Sequence, residues 1–102
     1  MKKAFALIGF FALSGGAFAA ELPQYDIKAS CHEIAEIGAG GSTVIERQCR
    51  QDEADALRRL KQMDIPTKTL RGCDEIASAG GGESYVILEQ CIKDELDAAA
   101  DL

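Results

Sequence analysis

The chain has 102 residues, 4 of them cysteine, and its 17 acids against 11 bases give a net charge of −6. Such an acid excess repels nucleic acid and anionic lipid, so neither is expected as a partner. A chain this short holds one domain at most, with a core small enough to need a covalent staple.

Residues 1–19 read as a secretory signal peptide. Met1-Lys2-Lys3 is a basic start and Ala4 to Leu13 an apolar run. Ser14-Gly15-Gly16 breaks that run, and Ala17-Phe18-Ala19 sets small residues where a signal peptidase cuts. The run falls short of the ~20 residues that span a bilayer, so no membrane span is expected after cleavage. Cleavage removes Lys2 and Lys3, leaving 9 bases against 17 acids and a net charge of −8. The expected destination is the periplasm or the outside of the cell. There an even number of cysteines reads as disulfides.

Residues 20–102 read as a single domain written twice, with repeats at about 24–64 and 67–102. A shift of 42 positions lays Cys31-His32-Glu33-Ile34-Ala35 on Cys73-Asp74-Glu75-Ile76-Ala77. The same shift matches Gly38, Gly40, Ser42, Val44 and Ile45 with Gly80, Gly82, Ser84, Val86 and Ile87. Gln48-Cys49, Asp52-Glu53 and Asp55-Ala56 recur as Gln90-Cys91, Asp94-Glu95 and Asp97-Ala98. Self-similarity of this kind marks one supersecondary unit used twice. Pro23 and Pro66 stand shortly before each copy, where helices begin or end.

Each copy reads as helix, turn, helix. In the first helix Ile27, Cys31, Ile34, Ala35 and Gly38 share a face. Gly38 and Gly80 are placed to end a helix in the left-handed conformation. Ser42 and Ser84 follow the glycine-rich turns as N-caps of the second helices. There Ile45, Cys49, Ala56 and Leu60 share a face, repeated by Ile87, Cys91 and Ala98. Thr43-Val44-Ile45 and Tyr85-Val86-Ile87-Leu88 are rich in strand-forming residues, but they lack apolar period two and run unbroken into helical sequence. The expected fold is all-α: two tandem antiparallel helical hairpins, four helices, each hairpin with an internal disulfide.

Four cysteines allow three pairings, and spacing alone leaves all of them open. Hairpin geometry favours Cys31–Cys49 and Cys73–Cys91, because each pair is equidistant from a turn glycine, Gly40 or Gly82. The small residues Ala35 and Ala77 let the helices approach closely enough for a disulfide.

The candidates for chemistry are few. Seventeen residues separate the favoured partners, unlike the short spacing of redox-active or zinc-binding pairs. His32 is the only histidine, and Asp74 takes its place in the second copy. No nucleophile stands in a recognisable catalytic motif, so no catalytic residue, cofactor or metal site is expected and the protein reads as a non-enzyme. Glu53 and Glu95 lie four residues after Cys49 and Cys91 and so share the cysteine face. Reflected through the turns they stand opposite Ile27 and Thr69, and they read as structural carboxylates accepting from free helix-start amides. The competing reading groups Asp52, Glu53, Asp55 and their copies as cation sites, without the spacing of a calcium loop. Arg47, Arg50, Arg58, Arg59 and Lys61 concentrate positive charge on the first copy, while from Asp64 onward there are 9 acids and 3 bases. That polarity suits a solvated face with pairs such as Glu46–Arg50, or else a charged partner or head-to-tail self-association.

The doubled pattern Cys-x-x-Ile-Ala, Gly-Gly-x-Ser, Val-Ile-x-x-Gln-Cys-x-x-Asp-Glu resembles small exported proteins of proteobacteria. This resemblance brings no activity and no site residues with it. The mitochondrial twin Cys-x9-Cys proteins are similar in architecture only, and function does not follow from fold. The expected role is a non-enzymatic interaction or inhibitor-type module whose partner is another envelope or secreted protein. The alternative is a small-ligand or divalent-metal-binding protein using the acidic helix faces. The oligomeric state is left open.

Overall fold

A computed structural model describes residues 21–79 and 82–102, so the signal peptide read at residues 1–19 and the helix end read at Gly80 lie outside the described residues. Among the described residues four helices follow in order: α1 (Ile27–Ala39), α2 (Thr43–Leu60), α3 (Thr67–Ala77) and α4 (Tyr85–Ala100). Among the described residues there is no strand, and the β-branched runs form the first turns of α2 and α4.

Local chemistry sets the helix boundaries. Asp26 caps α1, its Oδ1 accepting from the Ala29 amide at 3.1 Å. The Ser42 and Ser84 hydroxyls accept from the Ile45 and Ile87 amides, each at 3.2 Å, and so satisfy donors that the helix itself leaves free. Pro66 starts α3 with extended backbone, as its fixed φ allows. The left-handed turn after α1 falls at Gly40, φ 63°, two residues later than the expected Gly38, which lies within the helix. The Gly41 amide closes that turn by donating to the Ala35 carbonyl at 2.9 Å.

Cys31 is bonded to Cys49 and Cys73 to Cys91, each pair with its Cα atoms 5.6 Å apart. Helices held this close admit only small residues between them, and Cys31, Ala35, Cys73 and Ala77 are all buried. Ile34, Ile45 and Ile87, assigned by periodicity to the inward faces, are instead about half exposed on the flanks (54%, 43% and 48%). The main core lies elsewhere, where Ala56 and Leu60 of α2 meet Leu70, Cys73 and Ala77 of α3 and Tyr85, Leu88 and Ile92 of α4.

The two hairpins join through α2 and α4. Glu53 meets Tyr85, and six residues on Arg59 meets Glu89, so the two helices run the same way. The repeat shift makes Thr43 the counterpart of Tyr85, yet Tyr85 sits beside Glu53. The second copy is therefore displaced along α2 by about ten residues, on the order of 15 Å. This stagger is directional, and it decides which residues of each copy are covered.

Candidate functional site

The junction between the hairpins gathers the most specific polar contacts of the molecule. At its centre Glu53, 6% exposed, accepts from the backbone amides of Tyr85 and Val86 and from the Ser84 hydroxyl. These amides open α4, so a buried carboxylate sits on the positive end of that helix dipole. Reflection through the turn places Glu53 opposite Ile27, but the carboxylate serves the other copy. Asp26 already caps α1, and the Asp26 amide donates to Glu83 Oε1 at 2.8 Å, so the start of α1 has no need of Glu53.

One turn further along, Arg59 Nε and Nη2 donate to the two oxygens of Glu89 at 2.7 and 2.8 Å. Such a two-pronged pair fixes the rotation of one helix against the other. Glu89 is 6% exposed, and the Arg59 hydrogen bonds hold its carboxyl below the usual 4.5. Lys93 lies 3.6 Å from the same carboxylate.

Two tyrosines tie the segment before α1 to the second copy. The Tyr25 and Tyr85 rings stack with centroids 4.6 Å apart, tilted by 31°. The Tyr85 hydroxyl accepts from the Tyr25 amide at 2.9 Å and donates to the Pro23 carbonyl at 2.7 Å. The Tyr25 hydroxyl donates to Asp74 Oδ1 at 2.6 Å, and burial, reinforced by that bond, pushes its pKa well above the ordinary value. The repeat position that holds exposed His32 in copy one thus holds a tyrosine acceptor in copy two. His32 itself rests against Glu46 at 3.2 Å, lowering the Glu46 pKa.

Glu95 does not repeat the role of Glu53. It is exposed and lines an open groove of about 330 Å³ with Lys68, Thr69, Gly72, Ile76 and the Cys73–Cys91 bridge. The carboxylates grouped as cation sites are dispersed: Asp52 accepts from Gln48 at 2.9 Å, Asp94 from Gln90 at 3.0 Å, and Asp55 pairs with Arg58. Among the described residues no group of three or more His, Cys, Asp or Glu is arranged to hold a metal ion, and no helix is long and apolar enough to cross a membrane. No protein-family profile, curated protein or solved structure matches the chain.

Sequence reasoning missed Tyr25, Tyr85, Asp74, Glu83 and the Arg59–Glu89 pair. In the sequence Arg59 reads only as part of a basic face, and none of these residues recurs in kind between the copies. Their one shared signal is that each differs from its counterpart at a distance of 42 residues.

Proposed function

We propose that this protein is a non-enzymatic binding module that acts in the periplasm or outside the cell by docking another protein on the flanks of its stapled hairpins. The observation that carries this reading is a set of apolar residues left uncovered at the same positions in both copies: Ile34 and Ile76, Val44 and Val86, Ile45 and Ile87, between 41% and 62% exposed. Single exposed apolar residues are ordinary, but β-branched ones kept twice on a rigid frame suit a contact surface. The two disulfides support an oxidising setting and keep the flanks in fixed relation, so docking orders little further chain.

Affinity capture from envelope extract tests this reading with the wild-type chain and an Ile34→Asp/Ile76→Asp variant. A protein retained by the wild type and lost by the variant supports it. Identical captured sets from both overturn it.

A further inference from the structure

The directional stagger leaves one half of the repeat interface built but uncovered. In copy one Glu53, Ala56 and Leu60 form the face on which the second hairpin sits, and all three are buried, at 6%, 0% and 1% exposure. Their counterparts 42 residues on are Glu95, Ala98 and Leu102, the same residue types in the same order, and all three are exposed. The groove beside them repeats the comparison. In copy one the corresponding position, at Ser30 and Glu53, receives the Glu83-Ser84-Tyr85 turn: the Glu83 amide donates to Ser30 Oγ at 3.3 Å, and Ser84 and Tyr85 donate to Glu53. In copy two the corresponding groove, at Gly72 and Glu95, stands open.

By the same shift, the segment equivalent to Ser84-Tyr85 is Ser42-Thr43, the start of α2, where Thr43 is exposed. Charge follows the same correspondence with its sign reversed. The ion pair Arg59–Glu89 maps onto Asp101 and Arg47, so the base and acid exchange places and attraction is kept. Asp94, Glu95, Asp97 and Asp101 line the end of α4, and Arg47 and Arg50 flank the start of α2, where Glu46, the one acid, is paired with Arg50.

We propose that the face formed by Glu95, Ala98, Asp101 and Leu102 docks the Ser42-to-Arg47 start of α2 in a second copy of this chain, repeating between molecules the junction that joins the hairpins within one. This contact shares Val44, Ile45 and Ile76 with the flanks of the proposed function, but it turns on the acidic end of α4 and is read by self-association of the purified chain, so either reading can fail without the other. The contact is heterologous, so it propagates head to tail instead of closing a two-fold dimer. It is also weak and salt-sensitive. Leu88 and Ile92, buried in the internal junction, correspond to Glu46 and Arg50 in the external one, so charge replaces apolar area.

Sedimentation velocity tests the proposal on the purified chain with both disulfides formed, at concentrations up to about 1 mM, the range of weak transient contacts. The wild type is expected to gain mass with concentration. It should lose that gain when salt rises from about 0.05 to about 0.5 M, which shortens the screening length about threefold. Asp101→Arg and Arg47→Glu should each weaken association at least tenfold, and the double variant should restore it; Glu95→Gln should weaken it without changing the far-ultraviolet circular dichroism. A wild type that stays monomeric throughout overturns the proposal. So does association that persists in Glu95→Gln and Asp101→Arg, which would mean that copies meet through another face.

Discussion

The carboxylate of Glu53 and the backbone amide of Tyr85, thirty-two residues apart, are bonded across the junction of the two hairpins, both buried. One side chain thus caps a helix belonging to the other repeat. A buried acceptor serving two amides and a hydroxyl cannot be removed without leaving those donors unpaired. Glu53→Gln should lower unfolding free energy by about 1–2 kcal/mol and Glu53→Ala by about 2–3 kcal/mol. Glu95→Gln, on an open groove, should change it by less than about 0.5 kcal/mol. Urea denaturation of the three variants checks the contrast. Equal losses at both positions would refute the directional junction.

Acid should loosen the same junction. The Glu89 carboxyl is held below 4.5 in the folded protein, so its ionised form contributes stability above that value. The contribution is lost as pH falls through the lower folded pKa. Glu46, lowered by His32, acts in the same direction from the surface. Stability should therefore be flat in pH from about 5 to about 9 and fall below 4.5, and above the ordinary tyrosine range the raised Tyr25 pKa lowers it again. Arg59→Met removes the main cause of the Glu89 shift and should flatten that acid limb. Thermal melts across this range, compared with wild type, measure the difference.

The two disulfides should have unequal reach. By the entropy of the closed loop each contributes about 3 kcal/mol. Cys73, however, belongs to the main core, whereas α1 packs chiefly on α2. Cys31→Ser/Cys49→Ser should leave a cooperative unit of α2, α3 and α4 while amides in α1 lose protection. Cys73→Ser/Cys91→Ser should lower protection everywhere. Native-state hydrogen exchange distinguishes the patterns.

Tyr85→Phe keeps the ring stack with Tyr25 and removes only the hydroxyl that joins Pro23 to the Tyr25 amide. A loss of about 1 kcal/mol is expected. Faster exchange at the Tyr25 amide should accompany it, with little change in α4.

Much of this fold was legible because its determinants are local. The cysteine pairing follows from equal distances to Gly40 and Gly82, and the Ser42 and Ser84 caps follow from glycine turns preceding helical sequence. The junction was not legible, because a stagger of about ten residues leaves no mark on either copy by itself. Repetition even pointed the wrong way, giving Glu53 and Glu95 equal roles when only one meets the other hairpin. Helical periodicity likewise assigned Ile34 and Ile45 inward. The disulfides draw the helices too close to admit them, and periodicity carries no information about interhelical distance.

The mismatch of Leu88 and Ile92 with Glu46 and Arg50 means that the halves of this gene are no longer interchangeable. A chain made of two first halves would set a carboxylate and a guanidinium where the core needs two aliphatic side chains, and should not fold. Two second halves would keep the aliphatic pair and set Asp101 against Glu89. The repeat lays down two like halves, and the residues that differ between them give the molecule a front and a back.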